Sequence, residues 1–331
     1  MLRLSPTIEN ASKDYVLVQA WKKASNYIRY HNWFADTLEL DYHTANLPDF
    51  LKSVSEDMRS GRWVSDPLRL VQAPKSHAWE VSEESGLWGP KSSDEGVQLR
   101  PLAHVSLRDQ IASTALMLCM ADFVETVQGD PRPPKSGTTA FDTVSYGNRL
   151  FCDFADGILQ HRWGSSKLYR SFSQDYKSFV ERPERVAEGM VKHPGRGIVV
   201  VQSDLSQFYD RVRPALLFEK LNSLLGPTVE DSFLELTGQV LHWRWHDEDW
   251  RWAEQYALAK GIEGFDQICL PQGLVSAGFF ANVALLDFDR ALASSEGQPI
   301  GPGILLHDSC RYVDDLRLVA TTSKSMSPLE I

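Results

Sequence analysis

Two adjacent carboxylates, Asp314 and Asp315, follow an aromatic and a β-branched residue in the stretch Arg311-Tyr312-Val313-Asp314-Asp315-Leu316. The surrounding run, 304–320, reads as paired strands with these acids at the hairpin tip. Like charges side by side in an apolar strand repel one another and resist desolvation. A divalent cation removes that cost, and hard ions such as Mg²⁺ favour carboxylate oxygens. Taken alone, an ordinary polar Asp-Asp turn explains the pair equally well.

Two further blocks stand upstream. The β-rich run Ile198-Val199-Val200-Val201 ends in Ser203-Asp204-Leu205-Ser206-Gln207-Phe208-Tyr209-Asp210. Later, Leu270-Pro271-Gln272-Gly273-Leu274-Val275-Ser276 leads into a helical run, 276–293, with small residues at Ala277, Gly278, Ala281 and Ala284. Carboxylates converging from separate strands suit phosphoryl transfer by two metal ions roughly 3.5–4 Å apart, which stabilise the attacking and leaving oxygens. Asp204, at the end of one strand, meets Asp314 and Asp315 if the strands are neighbours.

In this order the three blocks resemble motifs A, B and C of reverse transcriptases, in the Tyr-x-Asp-Asp form. The resemblance implies that Asp204, Asp314 and Asp315 are catalytic and ligate two Mg²⁺ ions, or Mn²⁺ in their place, helped by the Leu205 backbone carbonyl. Asp210 also matches a family position, although a charge near the start of the helix at Pro214 explains it as well. Tyr209 would lie against the sugar C2′ and exclude a 2′-hydroxyl, which favours deoxynucleotides. Phe208 reads as a core aromatic and is the second candidate for that place. Gln272 and Gly273 would face the nucleotide, with the glycine letting backbone approach closely. Ser276 and Tyr312 would face template and primer.

Upstream, Arg100-Pro101-Leu102 with Ser106-Leu107-Arg108-Asp109-Gln110 is similar to a segment of group II intron and other prokaryotic reverse transcriptases. Arg100 would grip the triphosphate, with Lys75 or Lys91 beside it. Ser106 and Asp109 form a capping pair that opens a helix running to about Val127. Ser145-Tyr146-Gly147-Asn148-Arg149 resembles another family block, in which Arg149 either touches template backbone or makes a buried salt bridge. Gly278-Phe279-Phe280 departs from the proline and leucines that many relatives carry there.

The implied fold is α+β, a right-hand polymerase with helical fingers and a ferredoxin-like (RRM-like) palm. Residues 1–60 would be a helical N-terminal extension with apolar positions Tyr15, Val18, Trp21, Tyr27 and Ile28. Fingers would span 61–194, with a strand pair around 68–73 and 97–105, and the palm 195–331. The chain stops at Ile331, before the family's primer-gripping hairpin and thumb, so the thumb is expected to be absent from this chain. The expected partners are an RNA template, a DNA primer and product, and dNTPs. A structured non-coding RNA or a co-encoded protein would supply the missing parts. Similarity to abortive-infection and other phage-defence enzymes implies a role in antiviral defence. Two other functions stay open on the same residues: a template-independent or protein-primed nucleotidyltransferase, and a catalytically inactive RNA-binding scaffold.

The chain has 331 residues, 43% of them apolar, enough for one large domain or two. No uninterrupted apolar run approaches a membrane span, so no membrane partner is expected. Cys119, Cys152, Cys269 and Cys310 are scattered without a CxxC pair, which suits a reduced, cytoplasmic setting. His242 and His246 share i,i+4 spacing but lack a third ligand, so they read as solvated. A net charge of −10 counts against a nucleic-acid footprint. A locally basic stretch, 161–196, offsets it, and Tyr169, Phe172, Tyr176 and Phe179 there read as a core-facing stripe under a basic face. Trp243, Trp245, Trp250 and Trp252 read as an insertion packed on the palm.

Overall fold

The computed structural model describes residues 4–31, 35–75, 79–82, 85–90, 99–134, 141–190, 196–226 and 229–323. Among them the chain is α+β, and every pairing within its sheets is antiparallel. The N-terminal part holds α1 (Ile8–Ala11), α2 (Asp14–Tyr30), α3 (Thr37–Ala45) and α4 (Leu47–Arg59). Short strands β1 (Arg69–Pro74), β2 (Trp79–Val81), β3 (Trp88–Pro90) and β4 (Leu99–His104) then precede α5 (Leu107–Gln128). A small hairpin, β5 (Cys152–Ala155) and β6 (Ile158–His161), leads to α6 (Phe172–Met190) and the long strand β7 (Arg196–Asp204). Helices α7 (Phe208–Arg211), α8 (Pro214–Leu225), α9 (Asp231–Val240), α10 (Asp247–Lys260) and α11 (Ala277–Ser295) follow. Strands β8 (Pro299–Gly301), β9 (Ile304–Tyr312) and β10 (Asp315–Ser323) close the described chain.

One contiguous apolar core joins residues from Ala11 to Leu285, so the N-terminal helices share a core with everything up to α11. At its centre lies α5. It is the one described helix long and apolar enough to cross a membrane, but 78% of its most apolar stretch is buried inside the fold. A helix apolar on all sides is what a core position demands. Ser106 opens it as expected, its Oγ accepting the Asp109 amide at 3.3 Å. Helices α1, α2 and α4 pack on it. The buried face of α2 is Val16, Leu17, Ala20, Trp21, Ala24 and Ile28. Tyr15 and Val18, expected on that face, are exposed, because the 17-20-21-24-28 stripe turns them outward.

Strands β1 and β4 pair where the sequence suggests, with Val97 and Gln98 outside the described residues. The tryptophan-rich insert divides. Trp243 and Trp245 are buried, and Trp243 Nε1 donates to the buried Asp109 carboxylate at 3.3 Å. Trp252 stacks on Tyr256, while Trp250 is exposed. His242 and His246 share no helix, since His246 caps α10 by accepting the Glu248 amide. All four cysteines are free thiols.

The larger sheet has the order β7-β10-β9-β8, with α6 packed across β7, β9 and β10 and α11 against β9. Between β9 and β10 the chain reverses at Val313-Asp314, and Val313 sits at φ +58°. A β-branched residue is strained in this left-handed region. Arg311, fully buried, holds the turn in place. Its Nη1 donates to the Val313 carbonyl at 2.6 Å, and its Nε and Nη2 donate to the two oxygens of Asp289 on α11 at 2.7 and 2.6 Å. Gly147 lies against the same turn, where an added Cβ would sit 2.5 Å from the Val313 nitrogen.

Removing one partner of a buried ion pair strands the other charge without water. Arg311→Leu should therefore destabilise the chain by about 3–5 kcal/mol, read from urea unfolding. Adding Asp289→Leu to the same protein should recover much of that loss. A single variant as stable as wild type would show that the pair does not hold the turn.

Candidate functional site: a carboxylate cluster at the sheet end

The sheet register brings the three aspartates together. Asp315, the first residue of β10, pairs directly with Asp204, the last residue of β7. Opposed residues in such a ladder have Cβ atoms roughly 4.5–5.5 Å apart. Asp314 occupies the adjoining turn, and its carbonyl accepts the Leu205 amide at 2.9 Å, which fixes Leu205 beside the cluster. Burial, with the neighbouring charges of Asp315 and Asp204, pushes the Asp314 carboxyl above its ordinary value, and Arg100 works against the shift. No ion pair made by the described residues involves any of the three. Three carboxylates on neighbouring backbone positions, none of them in an ion pair among the described residues, fit hard cations in type and charge. Their side chains do not converge as placed: among the described residues no group of three His, Cys, Asp or Glu is gathered tightly enough to hold a metal. Asp204 and Asp315 are exposed, so rotation about χ1 is open to both.

Next to the cluster is a cavity of about 170 Å³ lined by Tyr27, Asn148, Tyr169, Tyr209, Gln272, Gly273 and the start of α11. Tyr209 is held there by Asn148, whose Nδ2 donates to its hydroxyl at 3.1 Å. Burial and the nearby Asp314 both push the Tyr209 phenol up, which keeps it neutral. Gln272 and Gly273 border the same space, but their fixed partners are protein. Gln272 donates through Nε2 to Asp210 at 3.2 Å, and its carbonyl accepts the Ala103 amide at 3.0 Å. Gly273 is required by β4: a Cβ would fall 1.8 Å from the Ala103 carbonyl oxygen. The close approach that glycine permits is thus to this strand. Asp210 is buried, accepts the Tyr256 hydroxyl at 2.8 Å, and has its carboxyl pushed up by burial. A larger cavity, about 440 Å³, is lined by Leu4, Leu118, Phe123, Leu225 and Val229 among others, and none of the three aspartates borders it.

Burial rules out one expected contact, that of Ser276, and decides the two readings left open for Arg149 and Phe208. Arg149 has no exposed surface, and its guanidinium binds Glu125 Oε2 at 2.8 Å and the Gly129 carbonyl at 2.5 Å, so it cannot touch a template. Ser276 is fully buried at the start of α11 and is likewise out of reach. Phe208 belongs to the apolar core rather than to a nucleotide site. Arg100 is exposed on β4 opposite Ala73, with Lys75 exposed just beyond the paired segment, while Lys91 lies outside the described residues. Arg100 acts on Asp314 and Lys75 on Asp210, so both basic groups look toward the site.

The aromatic stripe of α6 also departs from expectation. Phe179 is buried, but Phe172 and Tyr176 are exposed at 66% and 37%. Their rings stack, with centroids 5.3 Å apart, and both meet Tyr312 edge-on at 5.6 and 5.2 Å. The helical spacing was visible; what it faces is the Asp-Asp hairpin. Sequence reasoning also missed Gln110, whose buried amide donates to the Gly273 carbonyl at 2.7 Å and accepts the Val275 amide at 2.8 Å. It was read only as the end of the Ser106–Gln110 segment, a polar residue in the first turn of an apolar helix.

No family model and no curated protein matches the chain.

Because burial first, and the neighbouring acids second, raise the Asp314 carboxyl, its charge destabilises the folded chain at pH values above its ordinary range. Asp314→Asn should therefore melt above wild type at pH 7 in chelator, and Mg²⁺ should narrow the gap. A lower melting temperature for the variant in chelator would contradict this electrostatic picture.

Proposed function

We propose that the chain is a nucleotidyltransferase of the reverse-transcriptase type, adding deoxynucleotides to a primer 3′ end. The observation that carries this reading is the pairing of Asp204 with Asp315, beside Asp314, in a cluster that makes no ion pair among the described residues. In this reading the four-stranded sheet with α11 belongs to the palm, 195–331, and α5 with β1, β4 and α6 to the fingers, 61–194. Asp204, Asp314 and Asp315, with the Leu205 carbonyl, would hold two Mg²⁺ ions, or Mn²⁺. Such ions supply charge neutralisation at the phosphate and a more acidic attacking hydroxyl. Arg100 would meet the triphosphate, for which a guanidinium suits the spacing of phosphate oxygens. Tyr209 would stand at the sugar, neutral and fixed by Asn148, leaving no space for a 2′-hydroxyl. Tyr312 with Phe172 and Tyr176 would give the terminal primer base an aromatic surface, since stacking on such rings is worth about 1–3 kcal/mol per base. RNA template, DNA primer and dNTPs are the partners this arrangement implies.

The test is incorporation of labelled dNTPs with Mg²⁺ or Mn²⁺, with and without an added RNA template. Asp314→Asn should lower the rate by several orders of magnitude, because it removes a cation ligand at the reacting phosphate. Near-full incorporation by this variant would refute the reading. Template-independent incorporation would keep the chemistry and shift the function to a terminal transferase. Sugar choice offers a second check. Tyr209→Val should admit CTP in competition with dCTP, a change of roughly 1–3 kcal/mol in discrimination. An unchanged ratio would remove Tyr209 from the sugar site.

A further inference from the structure

The N-terminal helices carry no motif, yet one of them reaches the cavity beside the carboxylates. Tyr27, in the C-terminal half of α2, is one of three tyrosines that line it, with Tyr169 and Tyr209. Its ring meets Tyr169 edge-on at a centroid distance of 5.6 Å and an interplanar angle of 68°. Tyr169 is fixed in turn, its hydroxyl donating to the Val275 carbonyl at 2.7 Å, just after the Pro271–Gly273 turn. Elsewhere on the lining Asn148 packs closely on Gly278, its side chain 2.6 Å from where a Cβ there would sit.

The helix that carries Tyr27 is anchored on both sides of it. Ala24 and Ile28 are buried in the core, and the buried Lys23 donates through Nζ to the Arg162 and Ser165 carbonyls at 2.9 Å each. Tyr27 is thus a rigid wall. Tyr209, on the same cavity lining, also lies near Asp314, so Tyr27 stands in the same neighbourhood as the hairpin. At about 170 Å³ the cavity falls below the roughly 300–1,000 Å³ of an ordinary ligand pocket. It has room for one compact portion of a ligand, such as a pentose with part of its base, while a triphosphate would extend over the open carboxylate surface.

We propose that Tyr27 is a nucleotide-binding residue, and that the N-terminal helix α2 forms one wall of the nucleotide site. The inference rests on the polymerase reading and adds to it a contact from outside the three motif blocks. A flat ring held in place by a packed helix loses little freedom when a base or sugar packs against it. Packing of this kind is what α2 would contribute; the chemistry stays with the aspartates.

The test is calorimetric binding of the α,β-imido analogue of dCTP, which cannot transfer its nucleotidyl group, to the full chain with Mg²⁺. Tyr27→Leu keeps apolar bulk but removes the flat ring, and should weaken binding roughly three- to tenfold. Tyr27→Phe should restore it. In primer extension the KM for dCTP should rise by the same factor in Tyr27→Leu, with kcat held. Should Tyr27→Leu fail to fold, Tyr27→Trp puts a larger ring into the same cavity and should also weaken binding. Wild-type affinity in a folded Tyr27→Leu or Tyr27→Trp protein would overturn the proposal. If the wild type extends primers and such a variant binds equally well, this inference alone fails. A wild type that neither binds the analogue nor extends a primer refutes both this inference and the polymerase reading.

Discussion

Arg311 is buried immediately before the Tyr-Val-Asp-Asp turn, and its guanidinium is shared between that turn and α11. Desolvating an ion pair costs several kcal/mol per ion, and a well-packed apolar pair often serves stability as well. What the arginine contributes is position. Its donor to the Val313 carbonyl holds a β-branched residue at positive φ, and that turn sets where Asp314 stands relative to Asp204. The carboxylate partner, Asp289, comes from the helix that begins just after the Leu270–Gly273 segment. Asn282 on the same helix donates to the Gly147 carbonyl at 2.9 Å, and Gly147 in turn packs on Val313. The hairpin, α11 and the segment at Gly147 therefore meet around one buried arginine and its neighbours.

A second set of contacts keeps the cavity in register with the cluster. Gln110 on the core helix reads both the Gly273 carbonyl and the Val275 amide, and β4 crosses the same turn through the Ala103 amide. Strand β4 also carries Arg100, so that side chain and the Gln272–Gly273 turn are tied to one strand. The N-terminal helices complete the arrangement by packing on α5.

The α+β class and the elements that carry the motif blocks were legible from local pattern. The Val-rich run before Asp204 became β7, the small-residue run after Ser276 became α11, and Ser106 opened α5. These rest on near-neighbour rules, which sequence states directly. Long-range partners are another matter. Nothing local tells that Arg149 will meet Glu125 in the core, that Gly273 makes room for Ala103, or that Ser276 will be sealed off. The α6 stripe failed for a related reason: periodicity reveals that aromatics share a face, but not whether that face meets a core or the Asp-Asp hairpin. Tyr27 was read as an apolar position, and only the packing of α2 brings it to the cavity.

The claim on which the account stands is that Asp204, Asp314 and Asp315 form one divalent-cation site. Titration of Mn²⁺ into the chain, followed by electron paramagnetic resonance in the presence of a non-transferable dNTP analogue, measures it directly. The account predicts about two bound ions per chain, with fewer in Asp204→Asn and in Asp315→Asn. Equal Mn²⁺ binding by wild type and both variants, or none by the wild type, would contradict it.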